Sequence, residues 1–263
     1  MRVLEVIQPG VWLEGIEDDE ARRNIESLLR LLTTCIDDAA IALNLFEECL
    51  LGSFSIDPSA SWEADRERER AIAIRLEAAI PAGLDGHARF EAMDAAREQA
   101  RIEAKREKWR EGVPPSGYVH RLPFLHAKSF VYALDTLQKS LRLITEIDGV
   151  PLDVSAALSD FEAAFSDLLH VRDSSHHVED RVQGKRRQKK IDLQPLMNSA
   201  IHAPGGGVLV VDMLNGQRYG GTLGDGTYGE VDISAESAVI ARDCVQRVLN
   251  AFSWHGPATH SPS

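Results

Sequence analysis

Cysteine is scarce and scattered. The 263 residues carry three, Cys35, Cys49 and Cys244, with no Cys-x-x-Cys pair, which argues against a disulfide framework and a cysteine-built zinc site and points to a reducing, cytoplasmic home. No apolar run approaches the roughly 20 residues that a membrane-spanning helix needs. The opening stretch, MRVLEVIQPGVWLEGIEDDE, has too short an apolar run and too many acids for a secretory signal. Positive charge is also in short supply: 29 lysines and arginines stand against 41 acids, for a formal net charge of -12. A polyanionic partner must therefore be met by a local basic patch, because the field of the whole protein repels it. The Gly-x-Ser-x-Gly elbow of serine hydrolases is missing, and so is the spaced Glu and Glu-x-x-His set of di-iron bundles. No internal repeat is evident, and no cofactor is expected.

What is present reads as a mainly α protein. The 44% hydrophobic and 27% charged contents are those of an ordinary globular chain, and the length suits one large domain better than two. From Asp18 to Leu51, Ile25, Leu28, Leu29, Leu32, Ile36, Leu43, Phe46 and Leu50 recur at three- and four-residue steps, the mark of an amphipathic helix. Asp18, Asp19 and Glu20 suit its first turn and Gly52 its stop. A short extended piece, MRVLEVI, precedes it. Residues 59–112 are rich in Ala, Glu and Arg, poor in large apolar groups, and split by Pro81, Gly83 and Gly86. They predict two exposed helices in a charged arm laced by salt bridges.

Residues 112–123 read as a linker. A second core helix is predicted from Phe124 to Asp148, and a third from a cap at Asp153 or Ser155 to about Gly184. The stretch 207–233 reads as a β-hairpin with a third strand, turning at Asn215 and Gly216. Ser234 is placed to cap a last helix containing Val239, Cys244, Val248 and Phe252, and the tail from Gly256 is expected to fray. The expected architecture is thus an up-and-down helical bundle with an inserted β-hairpin near the C-terminus and a charged helical arm.

Chemistry-capable side chains concentrate in one stretch, HVRDSSHHVEDR, His170 to Arg181. At about 100° per residue, Arg172, His176 and Glu179 share one line of a helix, and Asp173, His177 and Arg181 share the next. Val171, Ser175, Val178 and Val182 would form the buried stripe. Directly behind follows KRRQKK, whose Lys185, Arg186, Arg187, Lys189 and Lys190 are the best candidates on this acidic chain for contacts to a nucleic-acid backbone. A different signal, Gly224, Gly226 and Gly229 followed by Val231, matches the glycine-rich loop of protein kinases. The lysine strand, catalytic loop and Asp-Phe-Gly that such a loop serves do not follow, so the match is read as coincidence.

Arg172-Asp-Ser-Ser-His-His177 resembles the Arg-x4–6-His signature of the HEPN superfamily (higher eukaryotes and prokaryotes nucleotide-binding), including the polar residue straight after the arginine, here Asp173. That resemblance implies a helical bundle acting as a metal-independent endoribonuclease, often a toxin or antiviral-defence component. It also implies a homodimer whose motif helices face each other, with RNA as substrate and an antitoxin or other partner protein in attendance. Carried over by position, His177 would be the acid/base, Arg172 the phosphate clamp, and Asp173 a group that orients or polarises one of them. His176 competes with His177 for the acid/base role. The residue types suit the chemistry. Cleavage through RNA's own 2′-hydroxyl needs a group that moves protons near neutral pH and fixed positive charge on the phosphorus oxygens. On an ideal helix Arg172 and His177 lie about 140° apart, so a facing second copy is needed to bring both kinds of group to one phosphate. Three other readings stay open: a polar helix face paired along i,i+4 lines, a catalytically silent binding module of the same fold, and a metal site from His170, Asp173 and His177.

Overall fold

The periodic apolar segments become helices. The computed structural model describes residues 1–52 and 58–262, and among these the chain is mainly α with small antiparallel sheets. It divides into two compact units, Met1–Leu50 with Leu122–Ser263, and Leu51–Arg121 between them in sequence.

In the first unit, β1 (Val6–Gln8) and β2 (Trp12–Leu13) precede α1 (Asp19–Leu50). Ile25, Leu29, Leu32, Ile36, Leu43 and Phe46 of α1 face the core, and Gly52 follows at φ 76°, a left-handed stop that suits glycine.

The second unit is the charged arm. Helix α2 (Pro58–Ala78) and α3 (Gly86–Arg110) pack through a small apolar seam of Ile72, Ala100 and Ala104, with Ala73 and Leu76 beside it. Small residues let the helices approach closely but bury little area, so charge pairing carries much of the register. Arg68 pairs with Glu111, Arg75 with Glu103, Arg97 with Glu77, Arg101 with Glu69 and Lys108 with Asp65. Asp85 caps α3, its Oδ1 accepting the Ala88 amide at 2.9 Å.

Helix α4 (Ser116–Thr145) starts inside the segment expected to be a linker and carries Pro123 within it. The Pro115 carbonyl accepts the Tyr118 and Val119 amides to begin the helix. Proline's missing N–H then costs one bond near the start, where the long apolar face beyond it outweighs the loss. Phe130, Leu134, Leu137, Leu141 and Ile144 of that face are fully buried.

The third predicted helix is broken twice. It runs as α5 (Leu152–Ala164), α6 (Leu168–His176) and α7 (Val178–Val182). Helix α5 begins after Pro151 with no side-chain cap, so neither Asp153 nor Ser155 caps it. Val171 is buried as expected, whereas Val182 is 65% exposed because the path has turned.

Gly184 (φ 65°) leads into a basic hairpin, β3 (Lys185–Arg186) paired with β4 (Lys189–Lys190). The KRRQKK run is therefore an ordered turn and not merely a solvated loop. Two more short strands, β5 (Leu196–Met197) and β6 (His202–Ala203), pair next.

The three-stranded sheet is β7 (Met213–Asn215), β8 (Arg218–Thr222) and β9 (Tyr228–Asp232), in that order. Asn215 opposes Arg218, so the turn residues are Gly216 and Gln217, one step later than expected. Val208–Val211 stay outside the strand, although the Val210 carbonyl accepts the Thr222 amide at 2.8 Å. Asp212 takes φ 53°, a left-handed kink at which regular pairing begins.

Ser234 caps α8 (Ala235–Ala251) as expected, accepting the Ser237 amide at 3.2 Å. Helix α8 packs against α5 and α1. The tail is not frayed: β10 (Trp254–His255) pairs with β2 and β11 (Thr259–Ser261) with β1, where strand hydrogen bonds tie it down.

Candidate functional site

The motif sits on α6, nine residues long and held at both ends. At its start, Asp167 does not cap the helix. Its Oδ2 instead accepts the Glu230 amide of β9 at 3.2 Å. At its end, His177 leaves helical geometry at φ -104° and ψ 46°, although its amide still bonds to the Asp173 carbonyl at 3.0 Å. The Cα position therefore follows the helix, and the angular separation from Arg172 persists.

Arg181 accounts for the break. Its guanidinium is 2% exposed and reaches back across α7: Nε to Ser174 Oγ at 3.2 Å, Nη2 to Asp173 Oδ2 at 3.4 Å and Nη1 to the Lys185 carbonyl at 3.0 Å. One buried cation thus joins the motif helix, α7 and the basic hairpin.

Arg172 lies against α4. Its Nε donates to Asp135 Oδ2 at 2.9 Å, with the two side chains 17% and 4% exposed. Lys139 Nζ reaches the same oxygen at 2.7 Å, while Asp135 Oδ1 is buried without a partner among the described residues. Burial pushes the Asp135 carboxyl above the usual range, opposed by the Arg172 charge and hydrogen bond. Such a group costs stability as an anion, even with a cation beside it. The Nη1 and Nη2 nitrogens of Arg172 make no hydrogen bond among the described residues.

Lys128, Tyr132, Asp135 and Lys139 fall at four- and three-residue steps along α4, one polar stripe on a core helix. Lys128 Nζ bonds Asp212 Oδ2 at 2.8 Å, and Tyr219, almost fully buried on β8, donates to Asp212 Oδ1 at 2.6 Å. Burial and that hydrogen bond push the Tyr219 phenol far above its ordinary value. Ser175 Oγ of α6 lies 2.9 Å from Tyr219 Oη. The stripe was legible as polar positions in an apolar helix, but Asp135 went unnoticed in the sequence because its partner is 37 residues away.

His176 and His177 are both exposed, their rings edge to face at 5.1 Å. His177 Nε2 is 3.7 Å from Asp173 Oδ1 and Nδ1 is 3.6 Å from Glu179 Oε1, beyond hydrogen-bond length. Asp173 is therefore engaged by Arg181 more closely than by the histidine it was expected to orient. Lys185, Arg186, Arg187, Lys189 and Lys190 are all exposed. The Asp180 carboxylate accepts the Arg187 amide at 3.0 Å, fixing the basic turn beside α7.

Two alternatives fare differently. Among the described residues no three His, Cys, Asp or Glu groups converge to hold a metal ion; His170 instead influences Asp225, whose carboxyl is lowered chiefly by its hydrogen bonds with Thr227. The kinase-like glycines serve packing: a Cβ at Gly224 would strike the Arg186 side chain, one at Gly226 (φ 92°) the Asp192 carbonyl, and one at Gly229 the Leu223 side chain. No family model, curated protein or solved structure matches this chain.

Proposed function

We propose that this protein is a metal-independent endoribonuclease of the HEPN type, acting as a homodimer with paired α6 helices. The observation that supports the reading best is the state of the two motif side chains. Arg172 is gripped through Nε alone, which leaves the forked end of the guanidinium for a phosphate, and the His177 imidazole, at the C-terminal end of the same helix, is half exposed with no hydrogen bond among the described residues.

In this reading the Arg172 fork neutralises the phosphorane oxygens as they gain charge. His177 of the facing copy takes the 2′-hydroxyl proton or delivers one to the leaving 5′-oxygen. The basic hairpin holds the flanking backbone, and its five exposed cations offset the repulsion of an acidic chain. His176 remains the second candidate for the proton transfer. Purified full-length protein incubated with RNA in EDTA tests the proposal. Cleavage that survives chelation and falls about a hundredfold or more in His177→Ala supports it. Absence of cleavage by the intact protein across salt conditions favours the catalytically silent binding module.

A further inference from the structure

We propose that Asp135 is the positioning residue for Arg172, gripping the guanidinium through Nε so that its free fork, with Lys139 beside it, is presented to one phosphodiester. This rests on the nuclease reading above and adds a group that the motif does not contain.

The geometry distinguishes positioning from a simple structural ion pair. A guanidinium paired for stability offers two parallel donors to both carboxylate oxygens. Here a single oxygen, Oδ2, receives both Arg172 Nε at 2.9 Å and Lys139 Nζ at 2.7 Å, and Oδ1 is left buried and unbonded. That arrangement is poor for stability, because a carboxylate 4% exposed has lost its water and recovered only half of its acceptor capacity. It is good for holding two cations at one point with their outer donors uncommitted. Lys139 is 47% exposed and Arg172 17%, so both retain access to solvent and to an anion arriving from it. Tyr132 belongs to the same stripe of α4, and the Arg172 charge opposes the rise that burial imposes on its phenol. A neutral acceptor in place of Asp135 would keep the shape, lose the charge that gathers Arg172 and Lys139, and let the fork swing.

The test uses the full chain and Asp135→Asn, with Asp135→Leu as the harsher variant and circular dichroism to confirm folding. Three quantities are read: kcat for RNA cleavage in EDTA, Kd for a 2′-O-methyl RNA that cannot be cleaved, and the 15N-edited NMR signal of the Arg172 Nε–H, identified by its loss in Arg172→Lys. The expected result is a drop in kcat of about ten- to a hundredfold in Asp135→Asn, the range lost when one oriented electrostatic contact is misplaced. The Kd should change by less than about threefold, because the basic hairpin supplies most phosphate contacts. The Nε–H signal, slow to exchange in the wild type, should broaden or vanish. A folded Asp135→Asn with wild-type kcat overturns the proposal. If the wild type cleaves nothing, the nuclease reading fails separately, and the Nε–H signal decides the grip: protection lost in Asp135→Asn upholds it, and protection unchanged or absent from the wild type overturns it.

Discussion

Replacing Arg181 with methionine removes a charge while keeping a chain of similar length. The side chain is 2% exposed, so water cannot substitute for the three lost contacts in place. The Ser174 hydroxyl and Lys185 carbonyl each forfeit a hydrogen bond worth about 1 kcal/mol. The Asp173 contact is discounted, since that carboxylate is 38% exposed and such pairs contribute at most about 1 kcal/mol. The expected loss is about 2–3 kcal/mol, a fall in Tm of about 4–12 °C for a unit of this size. The damage should be local first. Hydrogen exchange read by mass spectrometry should speed up in 178–190, where α7 and the basic hairpin depend on the guanidinium, before it changes in the apolar face of α4. On the proposed nuclease reading, RNA affinity should weaken with it, as the cations of the hairpin lose their fixed placement. Unchanged exchange in 178–190 together with an unchanged Tm would refute the claim that Arg181 bends the chain and ties these pieces together.

Asp135→Leu should cost about 3 kcal/mol by stranding the Arg172 charge, and Arg172→Met less, because Lys139 still reaches the carboxylate, whereas the double variant should unfold in urea within about 1 kcal/mol of the wild type or above it; additive losses would contradict this. His126 on α4 is held below its ordinary pKa by burial, so its stabilising effect is complete above about 6.5 and is lost as pH falls through the lowered value. The Tm of His126→Gln should accordingly fall less than that of the wild type between about pH 7 and pH 5. Gly226→Ala should destabilise the turn by several kcal/mol, because it combines a positive φ with a Cβ driven onto the Asp192 carbonyl. Thermal denaturation measures that loss directly.

Apolar periodicity revealed α1, the inner face of α4 and α8, since a long stripe at helical spacing has few other ways to be buried. It misread the third helix because Phe161, Ala164, Leu168, Val171, Ser175 and Val178 continue the period across both breaks. Those breaks come from tertiary contacts, Asp167 reaching β9 and Arg181 reaching back to Ser174, which local spacing does not encode. The motif itself was legible as residue types at a set interval. What holds Arg172 was not, since Asp135 belongs to a different helix and reads as one more polar position. Likewise the glycines near 224–229 matched a kinase loop by letters alone, a match already discounted from the missing downstream motifs, and their neighbours in the fold identify them as sites of close backbone and side-chain approach. The extended piece at the N-terminus was legible, but its pairing with the tail was not, because two- and three-residue strands carry almost no pattern.

The tip of the basic hairpin has a thermodynamic implication. Arg187 and Gln188 stand at φ 46° and 68°, the geometry in which Asn-Gly is the favoured pair. Side chains with a Cβ sit there at a penalty of about 1–2 kcal/mol each. An Arg187→Asn, Gln188→Gly swap should therefore make the protein harder to melt. If that sturdier variant also loses grip on polyanions, the apex will have been tuned for reach at the expense of rigidity.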